Sequence, residues 1–447
     1  QESGVAFARA NASALVFDPD PRTTLNDELL GDASPADSFA AAYIERTLRD
    51  VTLNAGTYSL EGPWVTIQDW DLPANAPSTS ATGIWNQTRG DNAFNDVMTY
   101  FHVDQNQRYI QSLGFVGEAA IQEQSIVADT DGVDGANNSF YDPFTNRMSF
   151  GHGCVDDNED ADVILHEYGH AIQYSINPGW GGGDTGAIGE GFGDYWAGSY
   201  SYSTPNGQIF HPEWVFSWVG HNPCDPGRFL NRVDFQYNPD YTYYAHAYVG
   251  GILSDTLWAT PLFQALTALV DQGVAREDVD KIVLESHFGL GFGPTMPVMA
   301  EATVQAAENL FPGGPHADVF RQKFEQVNIL PGIDDLEIGE LGIDGAGANG
   351  AVDPGEVIDL TVPLRNAGSS PLESVSATLS TATPAVKITG ASTDYPDIPA
   401  SDSRTNSTPF SVLVAANHSC GDAVVLSMSV DFGGGSGQLD FSLPTGI

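Results

Sequence analysis

The stretch ADVILHEYGHAIQY, residues 161–174, places His166 and His170 four apart, with Glu167 directly after the first. On a helix, residues four apart share one face about a turn apart, so both imidazoles point the same way. Two convergent imidazoles begin a tetrahedral zinc site, whose ligands must bring lone pairs to about 2 Å from the ion. Glu167 is rotated off that axis by one residue, so it can reach a water at such a site without ligating. Composition alone would give this spacing in at most roughly three of a hundred such chains. Val163, Ile164, Leu165, Ala171 and Ile172 flank the motif on both sides, which predicts a helix buried on more than one face, where polar side chains need partners.

Two histidines leave a ligand to find. In GAIGEGFGDYWAG, residues 186–198, Glu190 follows His170 by 20 residues and Asp194 follows Glu190 by four. Carboxylates at that helical spacing repel unless a cation lies nearby. Glu190 is expected to complete the ligand set. Asp194 is expected to accept the free ring N–H of a ligating histidine and so fix its tautomer.

HEYGH followed by GAIGEGFGD resembles the thermolysin-type glutamate zincins, the gluzincins, and the HEY start with the GEGFGD block resembles the fungalysin branch most. The resemblance spans residues 1–330 and is strongest at 92–115, 137–200 and 240–260. It implies a two-lobed thermolysin-like metallopeptidase, with a β-rich N-terminal lobe and a helical C-terminal lobe. It implies His166, His170 and Glu190 as zinc ligands, Glu167 as general base and Asp194 as the residue orienting His166. NNSFYD, residues 137–142, resembles the edge strand that pairs with substrate backbone in these peptidases, with Asn138 and Ser139 supplying polar contacts. YYAHAYVGGILSDTLW, residues 243–258, resembles the helix carrying a second catalytic histidine, here His246 with Gly250 four residues on, which would stabilise the oxyanion of the tetrahedral intermediate. His102, His152, His211, His221, His287, His316 and His418 read as core or surface residues.

Two departures from the family pattern stand out. Thermolysin-type enzymes place an oxyanion-donating tyrosine between the second histidine and the glutamate, but here residues 178–183 read PGWGGG. Either another residue serves instead, Tyr244 being one candidate, or His246 acts alone. For the arginine that holds the substrate carbonyl, Arg228 in DPGRFLNR is the candidate, with Arg232 behind it; a surface ion pair is the alternative. The family further implies an apolar residue after the scissile bond, with Val163 lining its pocket.

Calcium is a separate expectation. Asp162 sits where the family has a calcium ligand, although the downstream carboxylates of that cluster are unmatched. DTDGVDGANN, residues 129–138, offers Asp129, Asp131 and Asp134; DGAGANGAVDPGE, residues 344–356, offers Asp344, Asn349, Asp353 and Glu356. Gly-rich loops with several carboxylates suit Ca2+, but neither has EF-hand spacing, and solvated turns are the alternative.

Outward from the motif, the 447 residues exceed one ordinary core and are 41% hydrophobic, enough to bury several. Residues 1–155 read as mainly short β-like runs, interrupted by a 3.6-residue period at 92–115 that stops near Gly114. Helices are expected at 160–176, 187–200, 245–270 and 296–310, within a segment 156–331 that carries the motif. At NILPGIDDLEIGE, residues 328–340, the composition shifts to short Val/Leu/Thr/Ser strands split by Gly, Pro, Asn and Asp. Residues 332–447 therefore read as an antiparallel β-sandwich module, and the whole chain as α+β followed by all-β.

Charge and cysteines narrow the setting. The 59 Asp+Glu against 16 Lys+Arg give a net charge of −43, which repels phosphate backbones and excludes nucleic acid as a partner. Lysine occurs only at Lys281, Lys323 and Lys387, a surface suited to salt, although an ordinary acidic secreted protein has the same look. A start at Gln1 reads as a processed, secreted product. No apolar run is long enough to span a membrane. Of the three cysteines, Cys154 and Cys224 either form one bridge, leaving Cys420 over, or all three are thiols.

These readings converge on a secreted, monomeric zinc endopeptidase acting on proteins or peptides. One alternative is a zinc aminopeptidase of related fold, although no G-x-M-x-N motif for a free amine is present. Another is a non-catalytic adhesin or binding protein with a vestigial site, against which the full set Glu167, Glu190, Asp194 and His246 weighs.

Overall fold

Nine strands lie ahead of the motif in the computed structural model, which describes residues 7–332, 336–347, 351–368, 371–419, 421–433 and 435–445. Asn349 and Cys420 lie outside the described residues. The strands are β1 (Ala8–Val16), β2 (Ile44–Asn54), β3 (Thr57–Ser59), β4 (Val65–Ile67), β5 (Thr79–Ser80), β6 (Ile84–Trp85), β7 (Ile126–Asp129), β8 (Ser139–Asp142) and β9 (Arg147–Phe150). They form two sheets, ordered β5-β3-β2-β1-β6 and β4-β7-β9-β8. In the second, β8 is an edge strand, antiparallel to β9 with Ser139 opposite Phe150. The short helix α1 (Pro21–Leu25) follows β1, and α2 (Asn92–Ser112) follows β6. The carboxylate of Asp91 caps α2 by accepting the Ala93 N–H, and Phe94, Val97, Met98 and Phe101 are buried, as the 3.6 period predicts.

The motif lies on α3 (Ala161–Ile176), capped by the Asp160 side chain at the Asp162 N–H and buried along most of its length. A short connection leads to α4 (Thr185–Tyr202). These helices touch backbone to backbone: a Cβ on Gly169 would stand 3.1 Å from Gly193 Cα, and one on Gly193 would stand 2.7 Å from His166 Nδ1. Any larger residue at Gly193 would push His166 away from α4, so glycine here positions the site. Helices α5 (Thr256–Asp271), α6 (Arg276–Glu285), α7 (Met296–Leu310) and α8 (His316–Gln326) follow.

The expected helix over 245–270 begins only at Thr256. Residues 248–249 and 252–253 pair as a two-stranded ribbon instead. Gly250 and Gly251 turn it with φ of 60° and 85°, left-handed values that cannot continue a right-handed helix. His246 thus sits on a loop before α5. Helices α6 and α8 have no counterpart among the expected helices. The α6 sequence REDVDKIVLE is short, six of its ten residues are charged, and its burial rests on few apolar residues, including Val279, Ile282 and Val283.

Two compact units divide the chain, Gln1–Phe235 with Thr242–Phe320, and Gln236–Tyr241 with Arg321–Ile447. No division falls near residue 155, because α2 and α3 pack together: the Tyr168 hydroxyl donates to Gln107 Oε1 at 2.6 Å in a buried contact. The second unit begins ahead of the expected boundary at 332. Beyond residue 335 its described strands form three antiparallel sheets. Val424–Phe432 alternates buried and outward residues, and Ile358, Leu360, Val412, Leu426, Met428 and Val430 share one apolar core. No helix among the described residues is long and apolar enough to cross a membrane.

Candidate metal centre

Helix α3 supplies His166 and His170, and α4 supplies Glu190. Each offers one ligand atom, all within 4.8 Å of one another. His166 Nε2 is 3.2 Å from Glu190 Oε2, and His170 Nε2 is 3.6 Å from Glu190 Oε1. Two imidazoles and a carboxylate from adjacent helices form a borderline-soft donor set that fits zinc with one position left open. Among the described residues, one other such group exists, Glu190 with His246 and Asp255.

The electrostatics suit a cation. Burial alone would raise Glu190; the imidazoles of His170 and His166 outweigh it and hold the carboxyl far below its ordinary range. Burial works against a charged His166, but Asp194 and Glu190 beside it prevail and hold it up to about 10, whereas burial lowers His170 to about 4. A cation held between the three would take the place of the His166 proton. Burial also pushes Glu167 up to about 7.

Asp194 Oδ1 lies 3.0 Å from His166 Nδ1, close but out of line for a hydrogen bond. The same oxygen accepts from Arg228 Nη1 at 2.9 Å, and Arg228 lies 3.7 Å from Glu190. Arg228 is therefore tied into the carboxylates behind the site as well as lining the cavity. Arg232 is not brought to the cavity; it pairs with Asp234 in an exposed contact. His246 is held from both sides: its ring Nδ1 lies 3.1 Å from Asp255 Oδ2, and its backbone N–H donates to Asp255 Oδ1 at 3.1 Å. Its Nε2 lies 3.4 Å from Glu190 Oε2. Hydrogen bonding to Asp255 raises the His246 pKa above its ordinary value.

His166, Glu167, His170, Glu190, Arg228 and His246 face one cavity of about 460 Å³, also lined by Asn138, Ser139 and Val163. Ser139 donates its hydroxyl to Asp157 at 2.6 Å, so that oxygen is already engaged. Tyr244 is largely exposed and is not among the lining residues, whereas Tyr141 and Tyr174 are. Asp157, Phe216, Val219, Asp225 and Asp255 are parts of the site that sequence reading did not find. Asp157 opens a single 3-10 turn, Asp157–Glu159, and the other four come from loops or turns, too short or irregular for a period to mark a side chain as inward-facing. The cavity-lining loops around Asp157 and Asp225 are joined by a Cys154–Cys224 disulfide spanning 70 residues, which decides between the two expectations for these cysteines.

The calcium expectations find no convergent carboxylate cluster among the described residues. Asp129 is spent on backbone: its Oδ2 accepts the N–H groups of Trp70 and Asp71 at 2.7 and 2.8 Å. Asp131 pairs with His152 and accepts from Asn75, and Asp134 is exposed. Glu356 closes its own turn by accepting the Asp353 N–H at 2.8 Å, and Asp344 is exposed on a strand. Asp162 accepts from Ser201 and from the Phe216 N–H. Local hydrogen bonds of this kind are the usual use of Asp in turns.

No protein-family model matches the chain, and no curated protein matches it. Among solved structures, it is similar to the precursor of protealysin, a metalloproteinase from Serratia proteamaculans, at 16% identity over 59% of this chain and 86% of that one, with a TM-score of 0.46. It is also similar to the sporulation control protein Spo0M from Bacillus subtilis, at 16% identity over 25% of this chain and 51% of that one, with a TM-score of 0.16. Likenesses at these scores carry no argument, and the functional reading rests on the geometry above.

Proposed function

We propose that the chain is a zinc-dependent endopeptidase hydrolysing internal peptide bonds of proteins, with Glu167 as general base. The observation that carries this reading is the convergence of His166, His170 and Glu190, with Glu167 from the same helix facing the same cavity. Zinc, when bound, supplies Lewis acidity toward water and the scissile carbonyl. Glu167 accepts the proton of the attacking water and passes it to the leaving amine. Burial raises this carboxyl to about 7 in the metal-free chain, and a cation bound beside it would favour the ionised form that accepts the proton. His246, steadied by Asp255, directs its Nε2 toward the developing oxyanion. The free edge of β8 receives the substrate backbone, beginning near Asn138. Val163, Phe216 and Val219 provide apolar surface for the residue after the scissile bond. Arg228 braces Asp194, which in turn steadies His166.

An endopeptidase is favoured over an aminopeptidase because the cavity does not close behind the ligands. It continues along β8 into a second cavity that shares Tyr141, Pro143 and Tyr174 with it. The acidity of the chain and its disulfide support an extracellular site of action. The β-rich unit is assigned a stabilising or substrate-docking role. The reading is tested by Glu167→Gln, which keeps the metal and loses nearly all cleavage of a blocked internal peptide; an active Gln variant refutes the base. Treatment with a chelator abolishes activity and zinc restores it.

A further inference from the structure

The second cavity, of about 660 Å³, adds Phe144, Trp180 and Phe292 to the three residues it shares with the first. Phe144 and Phe292 are 96% and 81% exposed. Two large rings so open to water beside one concavity mark a binding surface. The surface is also built to hold its shape. The Phe292 ring lies on the backbone of the glycine run: a Cβ on Gly182 would stand 2.7 Å from it, and Gly182 itself has a φ of 75°. This is the PGWGGG stretch, residues 178–183, which holds no tyrosine. The Asn177 amide donates to the carbonyls of Leu290 at 3.1 Å and Gly291 at 3.3 Å, and the Asp184 N–H donates to Pro294 O at 3.1 Å. The loop presenting Phe292 is thus anchored at both ends. The Tyr141 hydroxyl donates to Asn146 Oδ1 at 3.1 Å, and the Tyr141 and Tyr174 rings lie 6.1 Å apart.

Strand β8 gives the surface a direction. Ser139, at its start, lines the cavity of the metal ligands; Pro143 and Phe144, just past its end, line the second cavity. A peptide added antiparallel to β8 runs the other way, entering over the aromatic walls and reaching the ligands afterwards. We propose that this second cavity is a substrate subsite that takes an aromatic side chain two to four residues before the scissile bond. The proposal rests on the peptidase reading and names its substrate class: extended polypeptides with an aromatic residue upstream of the cut. Edge-to-face packing against Phe292, Phe144 and Trp180 supplies the selectivity, at little conformational cost on the Phe292 and Trp180 walls, which are held by Gly182 and His287.

The test uses the full zinc-loaded chain and blocked peptides that share the residues flanking the scissile bond. A short peptide carries only those residues; longer ones carry Phe or Ala at the second, third or fourth position upstream. At one of these positions kcat/KM is about tenfold higher for Phe than for Ala, and Phe292→Ala brings that ratio close to one. The metal-free chain binds a fluorescent Phe-containing peptide matching the N-terminal product, and Phe292→Ala weakens its Kd about tenfold. A Phe/Ala ratio near one in the parent chain, or one that survives in both Phe292→Ala and Phe144→Ala, overturns the subsite and leaves the peptidase reading standing. If no peptide is cut, the short one included, the peptidase reading falls and the subsite with it.

Discussion

At the residue scale, the account depends on what burial does to single groups. Glu167 is buried on the motif helix, and burial raises its carboxyl to about 7 in the metal-free chain; a bound cation would pull it back toward the ionised form a general base needs. Glu167→Gln is expected to lower kcat by about a thousandfold or more with metal content unchanged, since the amide keeps the shape and loses the proton transfer. Measuring bound metal and turnover on one preparation checks this. His246→Gln is expected to lower kcat by about a hundredfold with a smaller change in KM, because its contact forms with the oxyanion rather than the ground state. An equal loss in both variants' metal content would reassign these residues to holding the ion. The spacing of His166, Glu167, His170, Glu190 and Asp194 is legible because a helix converts sequence separation into direction. Asp255 and Asp225 reach the site through loops and Asp157 through a single 3-10 turn, so nothing in their spacing marks them. The calcium expectations rest on a weaker signal: acidic, glycine-rich loops also arise where carboxylates accept backbone N–H groups, as Asp129 and Glu356 do.

Among the elements, α3 starts in an unusual setting. Its cap Asp160 and its second residue Asp162 are buried beside Asp20, which caps α1 through Thr23 N–H. Burial first, and Asp160 second, push Asp20 up to about 7, and its Oδ2 has no hydrogen-bond partner. The folded chain therefore keeps a proton that the unfolded chain sheds near its ordinary carboxyl pKa of about 4. The resulting stability is complete below that pH and is lost as pH rises through about 7. Asp20→Asn is expected to stabilise the chain at about pH 8, by an amount on the order of a few kcal/mol at most, and to change little at about pH 5. Urea unfolding of both proteins at the two pH values reads the difference; an equal shift at both would remove the buried proton. The Cys154–Cys224 link closes a 70-residue separation, and its reduction is expected to cost up to about 4 kcal/mol, measurable as a lower urea midpoint. Helix periods located α2, α3, α4 and α7 well. The segment before α5 departs from the helix that family likeness implies around His246, because Gly250 and Gly251 locally dictate a turn.

For the whole molecule, charge and unit structure matter most. With a net charge of −43, mutual repulsion opposes compaction, so added salt is expected to raise the unfolding midpoint, in contrast to a chain held by surface ion pairs. Thermal unfolding in low and high sodium chloride checks this, and a midpoint that falls with salt contradicts it. The change to short β-rich runs near residue 330 was visible in composition, but the division of units was not. The segment Gln236–Tyr241 joins the distant residues from Arg321 onward, a non-local pairing that no local pattern encodes. The central claim is that one zinc ion is gripped by two imidazoles of α3 and one carboxylate of α4. Native mass spectrometry with metal analysis tests it most directly. One zinc per chain in the parent and in Glu167→Gln, with none in His166→Ala, His170→Ala or Glu190→Ala folded to the same extent, is the predicted result; full zinc occupancy in any of those three folded variants would contradict it.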